Sequence, residues 1–244
     1  AWYPFDGNAS DMSGNGNHGT VYGATLGTDR HGISDKAYSF DGVDDYIVSD
    51  KNLPIFGNAA RTFSVWFKAS TSNNIEAIIS SGDTGVASGF ELLSNQKPIV
   101  HWFGTGNNFG GGITIPSHWY LITASYTGLE IRLYLNGKYV AEKNANLSTS
   151  ESNLFVGRPR HLDGHSYAYG SIDDVRIYDR ALFEEEIQLL YEDEAELPEQ
   201  SVTSAKISPA LSDLIDGNGS LEQALPAGSV IARKPGEAPP PGYT

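Results

Sequence analysis

Oxygen-donor side chains are gathered near the start of the chain and again in its last predicted strand. They are Asp6, Asp11, Asn15, Asn17 and the adjacent pair Asp173 and Asp174. Calcium binds roughly six to eight oxygens from carboxylates, amides and backbone carbonyls, so these residues could hold that ion. The alternative is that Asp11 and Asn17 only form turns through side-chain to backbone hydrogen bonds. Asp41, Asp44 and Asp45 are weaker candidates, because the segments around them can simply close a turn.

Two other segments carry the residue types that recognise sugars, residues 101–109 and 158–169. An aromatic ring can support the apolar face of a sugar, and planar polar groups can bind its hydroxyls. The predicted ligand-binding residues are Trp102, Arg158, Arg160, His165 and Tyr167. For Trp102 the alternative is packing in the core, where aromatic residues of strands are more often found than at a binding surface.

Patterns that would indicate catalysis are missing from the sequence. It has no Gly-x-Ser-x-Gly nucleophile motif and no cysteine, which removes thiol catalysis and zinc-thiolate sites. The 6 histidines are scattered without metal-ligand spacing on one element, and Glu91 and Glu130 stand alone. The three glutamates at 184–186 are explained by the positive end of a helix dipole. We therefore predict no catalytic residue and no enzymatic activity.

The charge balance bears on possible partners. The 244 residues contain 16 Lys+Arg against 30 Asp+Glu, a formal net charge of -14. Such a surface repels phosphate backbones and anionic lipids. No apolar run approaches the roughly 20 residues that cross a bilayer. We expect neither nucleic acid nor membrane insertion, and a glycan or an extracellular protein as the ligand.

Short strands separated by Gly, Asn, Asp and Ser must position these residues. In 61–68, Phe63, Val65 and Phe67 share one face, which is typical of a strand buried on one side. Asn-Gly at 136–137 predicts a tight hairpin, and residues 181–191 have the apolar spacing of a helix that packs on the sheets. The chain begins on a strand-like segment, which indicates a piece of a longer protein. We predict one domain at 1–191 and a linker with an extended tail at 192–244.

Four segments, in order, resemble the laminin-G-like domains of the concanavalin A-like lectin/glucanase superfamily, especially those of bacterial extracellular proteins. The segments are residues 3–19, residues 40–47 (FDGVDDYI), the hairpin of residues 119–137 (WYLITASYTG, then IRLYLNG) and the closing strand at 170–182 (GSIDDVRIYDRAL).

The resemblance implies an all-β, two-sheet antiparallel jelly-roll sandwich with one short C-terminal helix, and a structural calcium where the first and last strands meet. Asp173 matches the family's fixed aspartate. The predicted calcium ligands are therefore Asp6, Asp11, Asn17 and Asp173. Glucanases of this superfamily carry catalytic carboxylates in a Glu-x-Asp-x-x-Glu pattern, which no strand here shows.

These features predict a non-catalytic recognition or adhesion module that binds carbohydrate, secreted or at the cell surface. The alternatives are a structural spacer or oligomerisation module of a larger surface or fibre protein and, third, a glycoside hydrolase. Residues 201–208 resemble repeats of fibrous tail and adhesin shafts, and 225–243 resemble segments of phage-tail-collar-type proteins. These two likenesses imply a homo-oligomer formed through residues 201–244.

Overall fold

The computed structural model describes residues 1–71, 74–82, 89–95, 97–102, 108–111, 117–160 and 165–195. The chain divides into two units, Ala1–Leu197 and Pro198–Thr244, and every described residue belongs to the first. The expected tail and the oligomer through 201–244 lie outside the described residues. So do 103–107 and 161–164, which belong to the two segments with sugar-binding residue types.

Within the described ranges, strands follow one another up to a single helix near the end. In chain order they are β1 (Trp2–Tyr3), β2 (Gly19–Tyr22), β3 (Thr25–Gly27), β4 (Ala37–Asp41), β5 (Tyr46–Asn52), β6 (Arg61–Ala69), β7 (Glu76–Gly82), β8 (Gly89–Ser94), β9 (Pro98–Trp102), β10 (Asn108–Gly110), β11 (Tyr120–Tyr126), β12 (Glu130–Leu135), β13 (Lys138–Asn144), β14 (Asn153–Val156), β15 (Tyr169–Tyr178) and α1 (Glu184–Ala195).

The strands form two antiparallel sheets. One has eight strands in the order β13-β12-β11-β6-β15-β4-β3, with β1 paired to β15. The other has seven, in the order β10-β9-β8-β7-β14-β5-β2. This arrangement confirms the predicted all-β jelly-roll sandwich and the pairing of the first strand with the last.

The main core lies between the sheets, and strand alternation decides which side chains reach it. In the seven-stranded sheet, Phe90, Leu92 and Val100 belong to this core. Glu91 and His101 alternate with them along β8 and β9 and therefore lie on the outer face, away from the eight-stranded sheet. That outer face carries the residues of the candidate functional site.

The eight-stranded sheet is covered on its outer side by α1. Tyr191 stacks on Trp66 with ring centroids 5.8 Å apart, and Ile187 packs with Tyr134 in a second apolar cluster. For this reason β6 is buried on both faces, not on one as its alternation suggested, and only Lys68 in it is exposed. The helix begins at Glu184, three residues later than predicted, and Glu186 accepts the backbone N–H of Phe183 at 2.9 Å.

The predicted Asn-Gly hairpin is confirmed between β12 and β13. Asn136 and Gly137 both have positive φ, 51° and 74°, as a two-residue turn of this type requires. The Asn136 side chain also accepts the backbone N–H of Leu121 at 2.9 Å. The turn is thereby tied to the neighbouring strand.

Candidate functional site

The connection between β14 and β15 spans residues 157–168, and its described parts, 157–160 and 165–168, contact the seven-stranded sheet. Ser80 Oγ donates to the carbonyl of Arg158 at 2.7 Å, and the Ser166 N–H donates to the carbonyl of Ile75 at 2.7 Å. These bonds attach one end of the connection to Ser80 within β7 and the other end to Ile75, the residue before β7. The connection carries four of the five predicted ligand-binding residues: Arg158, Arg160, His165 and Tyr167.

The connection begins at Gly157, where the chain needs a glycine. Its φ is +81°, and a Cβ there would lie 2.5 Å from two carbons of the Phe40 ring. An L side chain meets both a backbone cost and a clash with the core in this position. The backbone of Gly157 is fixed further, because its N–H donates to Ile78 at 2.9 Å and its carbonyl accepts from Ala168 at 2.8 Å.

Glu91 is the fully buried carboxylate of this outer face, with no measurable exposure. Its Oε1 accepts the backbone N–H of Arg160 at 2.7 Å. Its Oε2 lies 3.1 Å from Nδ1 of His101 and 3.0 Å from Nδ1 of His165. Burial by itself would raise the pKa of Glu91, but the hydrogen bonds from the two imidazoles and from Arg160 outweigh it and lower that pKa to about 2. The carboxylate therefore stays ionised and holds the connection on the sheet.

A row of aromatic and arginine side chains extends across the same face towards the β2 edge. Tyr22 stacks on Tyr46 with ring centroids 4.6 Å apart, and Tyr46 is 6.2 Å from Phe155. The guanidinium of Arg158 lies 5.1 Å from the Tyr46 ring centre, and that of Arg160 lies 4.9 Å from the Phe155 ring centre. Both planar cations are thus held against rings.

A polar pocket of about 280 Å³ opens at the far end of the connection. It is lined by Asp41, Gly42, Thr71, Asn74, Glu76, Tyr167 and Tyr169. Tyr169 is 43% exposed, so part of its ring faces solvent. Tyrosines, carboxylates, an amide and a hydroxyl therefore converge in one concave place.

Trp102 is placed apart from these groups. Only 4% of it is exposed, and it packs in the main core with Phe109 at 6.1 Å. Lys143 Nζ lies 5.5 Å from the centre of its ring. The Trp102 side chain therefore packs in the core, which was the alternative to ligand binding in the sequence analysis. It offers little ring surface to a ligand.

Glu91 and His101 are the residues of this face that sequence reasoning missed. In the sequence Glu91 stands alone and the histidines are scattered, so neither pattern indicates a site. The register of β8 and β9 places Glu91 directly opposite His101, while His165 arrives from much later in the chain. One signal was available: a glutamate between Phe90 and Leu92 is a charge within an apolar strand, which needs a buried partner.

Two of the predicted calcium ligands near the N-terminus, Asp11 and Asn17, accept hydrogen bonds from backbone N–H groups. Asp11 accepts the N–H groups of Trp2 and Ser13 at 2.9 Å and of Asn17 at 3.0 Å. The Asn17 side chain accepts the N–H of Lys51 at 2.8 Å. Both side chains thus form the turns and strand-end contacts that the sequence offered as their alternative role.

The other two predicted ligands are in ion pairs. Asp6 is exposed and lies 3.1 Å from Lys36 Nζ. Asp173 is buried and paired with Arg30, whose guanidinium also lies over Trp66. Burial raises the pKa of Asp173 to about 7 despite Arg30. Among the described residues, its Oδ1 accepts no hydrogen bond.

Among the described residues, the carboxylates of Asp6, Asp11 and Asp173 form no cluster, and each is engaged by a different partner. Within the described ranges, the carboxylates that do come together are the weaker candidates, Asp41, Asp44 and Asp45, whose oxygens lie within 4.8 Å of one another. Asp41 also lines the polar pocket. The calcium ion stays a prediction, both at the four predicted ligands and at this corner, where Asp41, Asp44 and Asp45 are the alternative.

Comparisons with known proteins agree with this architecture. A laminin G family model, described as the concanavalin A-like lectin/glucanases superfamily, matches residues 41–188, more than half of the chain. Curated protein sequences give no significant match. No helix in the described part of the chain is long and apolar enough to cross a membrane.

Solved structures of similar fold include domain 4 of AbnA, a GH43 extracellular arabinanase from Geobacillus stearothermophilus, in complex with arabinotriose. It is 19% identical with a TM-score of 0.64, and the match covers 78% of this chain and 97% of that domain. The botulinum neurotoxin serotype D binding domain is 18% identical with a TM-score of 0.59, covering 76% of this chain and 48% of that one. The serotype G binding domain is 16% identical with a TM-score of 0.59, covering 77% and 49%.

This chain therefore spans about half the length of the neurotoxin binding domains. At these identities the structural matches show a shared fold. The family match supplies the assignment: the chain belongs to the concanavalin A-like lectin/glucanases superfamily.

Proposed function

We propose that this chain is a non-catalytic extracellular recognition module that binds carbohydrate at the polar pocket beside the β14–β15 connection. The observation that carries the proposal is the pocket lining. Two tyrosines, Tyr167 and Tyr169, face oxygen and amide groups from Asp41, Thr71 and Asn74 in a single depression. Its volume of about 280 Å³ is close to the lower limit of small-ligand pockets, about 300 Å³.

The chemistry of the lining matches what a sugar requires. A tyrosine ring covers the apolar face of the sugar, while carboxylate and amide groups exchange hydrogen bonds with its hydroxyls. The lining comes from the end of β4, the segment before β7, the first residue of β7, the β14–β15 connection and the first residue of β15. Surface connections of a rigid sandwich tolerate sequence change better than its strands do, so specificity can change without a change in the fold.

The solved structures of similar fold support the proposal of a carbohydrate-binding module. The arabinanase domain of similar fold was solved with arabinotriose bound and belongs to an extracellular enzyme. The neurotoxin domains are binding domains. Catalysis is not proposed, because Glu91, the buried carboxylate of this face, is fully engaged by two histidines and a backbone N–H.

The test measures binding of purified chain to an oligosaccharide array that includes arabinose-containing and hexose-containing glycans, followed by calorimetry on the strongest hit. Truncation of Tyr169 to alanine should weaken binding about tenfold or more, as loss of a central aromatic contact does. The matched control is Tyr139→Ala. This tyrosine is 46% exposed on β13, at an edge of the eight-stranded sheet, and it does not line the pocket, so its loss should leave affinity unchanged.

Two results would contradict the proposal. One is an array without reproducible binding by folded protein, which would favour the structural spacer. The other is equal loss of affinity in the Tyr139 and Tyr169 variants, which would place binding elsewhere. Sugar release from polysaccharides, abolished by one carboxylate substitution, would favour a hydrolase.

A further inference from the structure

Glu91, His101 and His165 form a compact group of possible metal ligands on the outer face of the seven-stranded sheet. Their ligand atoms all lie within 4.8 Å of one another. Both imidazole Nδ1 atoms approach the same carboxylate oxygen, at 3.1 and 3.0 Å. The two rings meet edge to face, with centroids 5.1 Å apart. The donors therefore surround one small volume.

We infer that this trio binds one divalent transition metal ion, of which zinc is the physiological representative. Two imidazole nitrogens and one carboxylate oxygen are a common protein ligand set for zinc, which leaves a fourth position to water or an external ligand. Calcium and magnesium prefer oxygen ligands. The trio is therefore chemically distinct from the carboxylates of Asp41, Asp44 and Asp45, and it goes beyond the proposed sugar binding.

The distances suit a metal ion of this size. With metal-ligand bonds of about 2.1 Å, tetrahedral ligands lie about 3.4 Å apart. The N···O separations of 3.0 and 3.1 Å thus need to widen by only a few tenths of an ångström. On binding, each Nδ1 gives up its hydrogen, either to solvent or by a shift to Nε2, and its lone pair turns to the ion.

The three ligands are held by rigid neighbours. Glu91 and His101 are cross-strand partners on β8 and β9. The Arg160 N–H holds Glu91 Oε1 at 2.7 Å, which fixes the carboxylate and leaves Oε2 directed at the imidazoles. His165 precedes Ser166, whose N–H is bonded to Ile75. Such outer contacts orient metal ligands and raise affinity.

The site is also reachable from solvent. The Glu91 side chain is completely buried, whereas those of His101 and His165 keep 16% and 14% exposure. An ion can enter between the two rings and meet the carboxylate beneath them. Once bound, it would attach the β14–β15 connection to the sheet, two residues before Tyr167 of the polar pocket. The expected consequence is a stiffer connection and a higher melting temperature.

The test uses the full chain, freed of any purification tag and dialysed against chelator, then titrated with zinc chloride and separately with cobalt chloride. We expect one zinc per chain by calorimetry and a visible d–d absorption band for cobalt. At a hundredfold excess of zinc over its Kd, the melting temperature should rise by about 5 °C or more.

His165→Ala is the principal variant, because it removes a ligand from the connection and leaves the strands intact. His101→Gln is the second, in case one of them folds poorly, and circular dichroism checks both. Each should weaken zinc binding at least tenfold and abolish the cobalt band. The matched control is His118→Ala, which removes an exposed histidine and should leave zinc binding unchanged.

Absence of zinc binding and of a cobalt band with folded wild-type chain would overturn the inference and leave the trio as a metal-free hydrogen-bond network. Equal loss of binding in the His118 variant would do the same. Sugar binding is measured separately on the zinc-free chain, so failure of the metal site and failure of the sugar proposal are distinguishable.

Discussion

Substitution of Asp11 by asparagine separates a structural role for this residue from the calcium ligation that its sequence position suggests. Asp11 is 5% exposed, and its carboxylate accepts three backbone N–H groups, from Trp2, Ser13 and Asn17. Asparagine has the same shape and keeps one acceptor oxygen. Its amide NH₂ would meet the N–H of one of these groups, so one bond becomes a contact between two donors.

The magnitude follows from the pKa of Asp11. Burial by itself would raise this pKa, but the hydrogen bonds from Ser13, Trp2 and Asn17 outweigh it and lower the pKa from 3.8 to about 2. That shift corresponds to about 2 kcal/mol of stabilisation in the ionised form. Because the folded-state pKa is depressed, the stabilisation is present above pH 3.8 and is lost as the pH falls towards 2.

Urea denaturation at pH 7 should therefore show a free energy of unfolding about 2 kcal/mol lower for Asp11→Asn than for wild type. This difference in the free energy of unfolding should disappear as the pH falls from about 4 to about 2. The control is Asp35→Asn, at an exposed residue with positive φ that asparagine tolerates, where we expect a change within about 0.5 kcal/mol.

Chelator identifies which role Asp11 plays. If Asp11 organises the turn through backbone hydrogen bonds, the difference at pH 7 is the same with calcium and with chelator. An Asp11→Asn variant as stable as wild type, or a difference that appears only when calcium is present, would refute the structural reasoning.

Two other perturbations test the packing of the connection and the calcium prediction. Gly157→Ala should lower the free energy of unfolding by about 2–4 kcal/mol, since its Cβ would meet the Phe40 ring. Gly32→Ala is the control, because Gly32 has a similar φ, +83°, and an added Cβ there would meet no atom within 4 Å. Its free energy of unfolding should fall by about 1 kcal/mol from the backbone conformation alone. Equal urea midpoints for the two variants would contradict the clash with Phe40. On the zinc-free chain supplied with calcium, saturating chelator should lower the melting temperature of wild type. That effect should vanish in Asp44→Asn and persist in Asp173→Asn; no shift together with a blank metal analysis would remove the calcium prediction.

The fold could be predicted from the sequence because its signals are local. Alternating side chains define strands, Asn136-Gly137 sets a hairpin by its backbone conformation, and ordered family motifs place the closing strand beside the first. The helix was predicted for a similar reason, with its start three residues early. Burial of β6 on both faces was missed, because it depends on α1 covering the outer side of the sheet.

The candidate site was predictable only in part. Arg158, Arg160, His165 and Tyr167 belong to residues 158–169, a segment with the residue types that recognise sugars. The structure places Arg160 and His165 against Glu91 on the outer sheet face, and Tyr167 at the polar pocket. Trp102 was selected on residue type alone, and strand alternation directs it to the core. Residue type does not reveal the side of a sheet on which a side chain lies.

The sequence by itself determined the strand content, the hairpin and the family, since each rests on neighbouring residues and their backbone preferences. Tertiary structure decided which distant groups meet. It placed Glu91 opposite His101 through strand register and brought His165 to them through the β14–β15 connection. It also brought backbone N–H groups to the Asp11 carboxylate and paired Asp173 with Arg30. Register and loop path depend on contacts across the whole sandwich, so no local pattern could specify these partners.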